Sequence, residues 1–328
     1  MPALRTGMGQ RIWPCDRGTT LATAGRYAEK ANIDWDLGGG MARVAVVGVG
    51  AIGGALASLL ETAGGHEITL CTRRPTDGLT VKTPDGVVQV RARNITEPAQ
   101  AEPVDWVLVA TKAYDAEGTA AWLKGLCNAE TAVAIFQNGV EHRERFLRWV
   151  AGDRLVPVVI DCPAERPGDG TVVVRGATTM KVETGALSEE MAGLFKGSAA
   201  DVELTADWKS AAWRKLCINA PGALSALALK PTGILREGLM SRMLLGMVGE
   251  CVAVGRAEGA TLEDGMGERV LAVVRGQPWD SVNSMLADRL AGRRMETDAR
   301  NGAVVRAGER HGIATPLNLM AVAVLEAL

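Results

Sequence analysis

The sequence predicts an α/β Rossmann-type N-terminal domain followed by an all-α C-terminal domain, and three observations carry that prediction. Up to about residue 206, short apolar runs rich in Val and Ile alternate with helical stretches, the pattern of βαβ units around a parallel sheet. The first unit turns through a glycine-rich loop between its strand and its helix. From about 207 to the end only helical periodicity remains, broken at Pro231, Gly233, Gly259, Pro278, Gly292, Gly312 and Pro316.

Taken in order, "RVAVVGVG" reads as a strand, "AIGGALASLLETAG" as a helix and "HEITLCTRR" as a second strand. "DWVLVAT" and "TAVAIFQNG" are further strands, separated by the helical "AEGTAAWLKGL". "RLVPVVIDCPAE", "GTVVVRG" and "TMKVET" then read as strands joined by Gly/Pro turns, an antiparallel extension of the same sheet. The expected division is a Rossmann domain over 41–206 and a helical substrate and catalytic domain over 207–328. Residues 1–40 lack sustained periodicity and close on three glycines. They are expected to form a disordered or mis-started extension, with Met41 the natural beginning of the first strand.

At 328 residues and 47% hydrophobic content the chain can bury a core in each domain. A formal net charge of −2 with scattered basic residues gives no electrostatic footprint for nucleic acid, so a small-molecule partner is expected. Cys15, Cys71, Cys127, Cys162, Cys217 and Cys251 form no C-x-x-C pair and have no His at metal-ligand spacing. They read as buried small hydrophobes in a reducing compartment. No membrane span or secretory signal is recognised, and the expected location is the cytoplasm. Apolar helical stretches such as "LMSRMLLGMVGECVAV" can be buried internally or against a second subunit. Periodicity leaves a homodimer open.

Gly48-Val49-Gly50-Ala51-Ile52-Gly53 follows a strand and opens a helix, the context in which G-x-G-x-x-G marks a dinucleotide site. Gly48 permits the tight turn, Gly50 lets the backbone approach a pyrophosphate, and Gly53 lets helix and sheet pack closely. Where the second strand ends, an acidic residue would read a ribose 2′-OH and an arginine a 2′-phosphate. Thr72-Arg73-Arg74 stands there, which favours NADP(H), with Arg73 the stronger reader. Lys112, in Thr111-Lys112-Ala113-Tyr114, sits at the same sheet edge and can add a second charge. Asn138-Gly139 is either an amide presented toward the site or a plain Asn-Gly turn.

Reduction of a ketone needs a proton donor near the developing alkoxide. His66, His142 and His311 are isolated, and no nucleophile elbow or metal cluster offers another chemistry. In "WRKLCINAPGAL" Lys215 and Asn219 stand at i and i+4, on one helical face. A low-dielectric cleft would lower the lysine pKa and a nearby carboxylate would oppose that shift. The alternative is a snorkelling lysine with an exposed head.

Together the glycine motif, "TKAY", "QNG", "WRKLCIN", "NSML" and "ETDARNG" resemble the ketopantoate reductase (2-dehydropantoate 2-reductase) family, in order and spacing, over about residues 42–328. The resemblance implies an NADPH-dependent reductase of a 2-keto acid, in pantothenate biosynthesis, with its site between the two domains. It implies Lys215 as proton donor, Glu296 orienting it and contacting substrate or cofactor, and Asn138 beside the nicotinamide. Asn219 and Ser284 would hold substrate, while Arg73 and Lys112 would meet the 2′-phosphate. Ser284 and Glu296 would stand about 18 Å apart on one unbroken helix, too far to serve one small substrate. A break is therefore expected at Gly292, with Ser284 capping one short helix and Glu296 opening the next. Ala223, Gly233 and Ser281 stand where the family usually has polar amides, so the reaction type is better specified than the substrate. Ketopantoate leads. Another keto acid, or a non-catalytic NADPH-sensing protein, are the alternatives.

Overall fold

The computed structural model describes residues 41–328 except Asp77, Gly168 and Asp169; the extension expected at 1–40 lies outside them. The N-terminal half opens with β1 (Arg43–Val47), α1 (Ala51–Ala63) and β2 (Glu67–Cys71). A hairpin, β3 (Leu79–Thr83) and β4 (Gly86–Val90), and β5 (Arg93–Ile95) follow. Next come β6 (Trp106–Val109), α2 (Ala116–Leu126), β7 (Ala132–Ile135), α3 (His142–Phe146) and β8 (Leu155–Asp161). The half finishes with β9 (Ala164–Glu165), β10 (Val172–Val174), β11 (Thr178–Glu183), α4 (Ala186–Gly193) and β12 (Ala200–Thr205).

The main sheet runs β12-β11-β8-β7-β6-β1-β2-β5, and from β5 to β8 every pairing is parallel. Its strands are continuous apolar runs because both faces are covered. In β1, Val44 and Val46 join a core with Leu56 and Leu60 of α1, while Ala45 and Val47 join Trp122, Leu123 and Leu126 of α2 on the opposite face. Each fully buried Leu or Val there contributes roughly 1.5–3 kcal/mol. β11 is antiparallel to β8 and extends the sheet as the sequence predicts.

The "GTVVVRG" strand does not. β10 pairs instead with β3 and β9 in a separate four-stranded sheet, β4-β3-β10-β9. Gly54 explains the placement: a Cβ there would lie 2.6 Å from Val172 Cγ2, so the bare backbone of α1 lets β10 lie directly on it. Val172 is thereby buried on the helix, and the edge of β8 is left to β11.

The C-terminal half contains α5 (Trp208–Asn219), α6 (Gly222–Ala228), α7 (Gly238–Ala257), α8 (Met266–Gly276), α9 (Ser284–Leu290), a π-helical turn (Asp298–Gly302), α10 (Ala303–His311) and α11 (Pro316–Glu326). Asp207 caps α5 by accepting from Ser210 N at 3.1 Å. α10 stops at Gly312, whose φ of +64° is left-handed, and Pro316 opens α11 at a position where a missing N–H costs nothing. α7, at 20 residues and mean hydropathy 1.3, is the one described helix long and apolar enough to cross a membrane. Its Leu244, Met247, Val248, Cys251 and Val254 are buried in the helical core.

Ion pairs tie the halves together. Arg306 of α10 reaches Glu141 at 2.7 Å, and Arg145 of α3 reaches Asp298 at 2.7 Å. Gly139 permits the close approach: its φ is +109°, and a Cβ there would lie 2.6 Å from the Ala299 carbonyl oxygen.

Candidate active site

A cleft of about 1340 Å³ runs from the glycine-rich loop, along the C-terminal edge of the parallel strands, to α5 and the turn before α10. This is the edge where ligands sit in doubly wound sheets, and the volume exceeds that of a typical single small-molecule pocket. Gly48, Val49, Gly50, Ala51, Ile52, Arg73, Lys112, Asn138, Lys215, Asn219, Ser284 and Glu296 all line it.

At its dinucleotide end the backbone is shaped by missing side chains. Gly48 has a φ of +92°, and a Cβ on it would meet Thr111 N at 2.7 Å. Gly53 lies beneath the loop, where a Cβ would fall 2.1 Å from Gly48 O. A Cβ on Gly50, in contrast, would meet nothing within 4 Å, so the loop faces open space there. α1 starts at this point with no side-chain cap and no acidic residue in its first turn. Its free N–H groups and positive dipole end suit a phosphate. These residues fit the diphosphate of a dinucleotide. Thr72 pins the following turn by donating to Arg74 O at 2.7 Å and accepting from Asn94 at 2.8 Å, which leaves Arg73 and Arg74 exposed along the cleft. Arg166, from the segment after β9, donates to Val49 O and lines the same end.

At the other end two expectations need correction. Lys112 is held by carboxylates instead of being offered to a 2′-phosphate. Its Nζ lies 2.9 Å from Asp288 and 3.2 Å from Glu296. Burial would lower its pKa, but these two anions outweigh burial and raise it. Glu296, in turn, makes no hydrogen bond to Lys215. It accepts from Lys112, from Ala113 N at 3.2 Å and from Asn138 Nδ2 at 2.9 Å. Burial works to raise the Glu296 pKa, while Lys112, Arg300 and these bonds hold it below the ordinary carboxylate value. Asn138 is thus more than a turn residue, since its amide is oriented by a buried carboxylate.

The break at Gly292 is present: α9 ends at Leu290 and Gly292 has a φ of +63°. The cap of α9, however, is Asn283, whose side chain accepts from Met285 N and Leu286 N. Ser284 is the first helical residue, leaving its hydroxyl to accept from Arg300 at 2.7 Å. Glu296 precedes the π-helical turn. A π-turn widens a helix locally and is common at functional sites.

Lys215 and Asn219 share one face of α5 and both line the cleft. Among the described residues Lys215 Nζ makes no hydrogen bond or ion pair. Burial lowers its pKa to about 8; Asp161 opposes that shift most strongly, and Arg300 adds to it. Asp161, Asp288 and Arg300 are the residues that sequence reasoning missed. Arg300 lay inside the quoted "ETDARNG", where a cation two residues after an acidic one reads as surface. Of the three positions lacking amides, none lines the cleft. Ala223 is fully buried, and a Cβ on Gly233 would lie 2.4 Å from Trp279 O.

Known proteins place this architecture. Residues 44–188 match the family model described as ketopantoate reductase PanE/ApbA, and residues 207–328 match its C-terminal counterpart. A 2-dehydropantoate 2-reductase from Caulobacter vibrioides is 46% identical over 287 residues, covering 88% of this chain and 99% of that protein. One from Mycobacterium tuberculosis is 38% identical, covering 87% and 97%. A crystal structure of 2-dehydropantoate 2-reductase from Geobacter metallireducens superposes with a TM-score of 0.81 at 27% identity, over 87% of this chain and 99% of that one. With both halves matched, in the same order and over nearly all of the described residues, the chain belongs to the ketopantoate reductase family.

Proposed function

We propose that this protein reduces a 2-keto acid, with ketopantoate (2-dehydropantoate) the leading substrate, using NADPH. The observation that carries the reading is the unpaired Lys215 ammonium, in the same cleft as a glycine loop shaped for a dinucleotide diphosphate. Gly48 to Ile52 and Gly53 would hold the diphosphate, and Arg73 would read the adenosine 2′-phosphate. When bound, NADPH supplies the hydride that the ketone carbon receives.

The chain's own groups do the rest. With a pKa of about 8, Lys215 still carries its proton at neutral pH yet releases it far more readily than a solvated lysine. It is assigned as the donor to the ketone oxygen. Having no ion-pair partner, its Nζ need not break a bond to reach that oxygen. Asn219, one turn along, is assigned to hold substrate beside it. Asn138, fixed by Glu296, is assigned to the junction of nicotinamide and substrate. Glu296 serves the site as the hub joining Lys112, Ala113 N and Asn138 across the two halves, while Ser284 acts together with Arg300. Asp161 is the carboxylate that keeps Lys215 from losing its proton too early.

Five described cysteines are free thiols, in keeping with a cytoplasmic location, where NADPH is also available. A homodimer through the helical half, where Leu239, Leu319 and Val324 are exposed, belongs to the same reading. The test is oxidation of NADPH, followed by its near-ultraviolet absorbance, with ketopantoate and a panel of branched 2-keto acids, and NADH in parallel. Turnover with ketopantoate and preference for NADPH is the expected result. Tight NADPH binding with no turnover across the panel would leave a sensing protein instead.

A further inference from the structure

Arg300 is a buried cation with far too few partners. It is 3% exposed. A guanidinium carries five N–H donors, yet here one bond is made, from Nη2 to Ser284 Oγ at 2.7 Å. Nε is buried without a partner. The nearest carboxylate, Glu296, is 4.0 Å away and already accepts from Lys112, Ala113 N and Asn138. A buried charge left this incompletely bonded is strongly unfavourable unless something else completes it.

The side chain lines the cleft together with Lys215, Asn219 and Ser284. Its backbone is fixed. The π-helical turn closes with Gly302 N donating to Thr297 O at 3.0 Å, and the next residue, Asn301, is fully buried and donates to Ala220 O at 3.2 Å and to Asn318 at 2.9 Å. The guanidinium is therefore pre-positioned. A 2-keto acid carries its carboxylate on the carbon adjacent to the ketone, so a site for it needs an anion holder beside a proton donor. Lys215 is close enough to feel the charge of Arg300. Of the other cations along the cleft, Lys112 is bound by two carboxylates, while Arg73, Arg74 and Arg166 stand at the glycine-loop end.

We infer that Arg300, steadied by Ser284, binds the carboxylate of the substrate and is the residue that restricts this site to 2-keto acids. The inference rests on the reductase reading above. A planar fork matched to a carboxylate is the geometry arginine provides and lysine does not.

The test compares wild type with Arg300→Met and Arg300→Lys on ketopantoate and on its neutral lactone, which keeps the ketone but lacks the free carboxylate. NADPH affinity by fluorescence titration and the melting temperature serve as controls on the fold. Arg300→Met is expected to raise KM for the acid, and weaken its equilibrium binding, by roughly 10- to 100-fold. The lactone should change less than about 2-fold, so the preference for acid over lactone collapses. Arg300→Lys should recover part of the loss, and it carries the test if the Met variant does not fold. Equal losses for acid and lactone, or an unchanged KM for the acid, would overturn the inference and make Arg300 a structural pin. A wild type inert toward every 2-keto acid would overturn the reductase reading, and this inference with it.

Discussion

Replacing Lys215 with methionine should make the protein more stable and nearly inactive. Burial lowers the Lys215 pKa from 10.5 to about 8, and Nζ has no bond whose loss would offset its removal. Below about pH 8 the folded protein must carry a charge that the unfolded chain carries in water. That penalty is about 3 kcal/mol. The sign follows from linkage: between about 8 and 10.5 the unfolded chain binds more protons than the native one, so wild-type stability rises with pH. Methionine, of similar length and apolar, removes the penalty. Denaturant midpoints should therefore favour Lys215→Met most at pH 7, with the advantage fading as pH approaches 10.5. Turnover should fall by roughly two or more decades, as loss of a general acid requires. In the wild type, kcat/KM should decline above about pH 8 as the free enzyme loses this proton. A variant that is less stable at pH 7, or that keeps near-normal turnover, would refute the reasoning.

Three further perturbations separate the parts of the site. Gly53→Ala would place a Cβ 2.1 Å from Gly48 O, a backbone atom of the glycine loop itself, so that loop must move and NADPH affinity should drop by at least about 10-fold; unchanged titration would show that the loop tolerates the shift. Arg73→Ala should cost NADPH about 10- to 100-fold in affinity while leaving NADH within about 2-fold, and equal losses for both cofactors would move the 2′-phosphate elsewhere. Lys112→Met would remove one of two cations from Asp288, which keeps Arg293 at 2.9 Å, and the nearest cation from Glu296, which keeps its bonds from Ala113 N and Asn138, and should destabilise the protein by about 1–2 kcal/mol in denaturant titrations. A change below about 0.5 kcal/mol would mean that Arg293, Ala113 N and Asn138 suffice to hold those carboxylates.

How much of this could be read from the residues depends on how local the signal is. G-x-G-x-x-G, the alternating strands and the change to helical periodicity near residue 206 are carried by neighbours in sequence, and they were legible. So was the pairing of Lys215 with Asn219, because i and i+4 fix a helix face. The break at Gly292 followed from rise per residue once the resemblance had put Ser284 and Glu296 in one site. What failed was long-range. Nothing near "GTVVVRG" reveals that Gly54, more than a hundred residues earlier, leaves room for Val172 on α1. The β3–β4 hairpin over "LTVKTPDGVVQV" carries a plain turn signal that went unread. Lys112 was assigned to a phosphate because its partners, Asp288 and Glu296, lie 176 and 184 residues away. Arg300 reads as a surface cation until the fold buries it beside Ser284.

The central claim is that a hydride passes from NADPH to the carbonyl carbon of a 2-keto acid, leaving a 2-hydroxy acid. The most direct measurement is mass spectrometry of the product formed from ketopantoate with NADPH carrying deuterium on the transferring face of its reduced ring. The account predicts pantoate heavier by a single mass unit, with the deuterium on the carbinol carbon. Unlabelled product from both faces of the cofactor, or no pantoate from an enzyme that binds NADPH tightly, would contradict it.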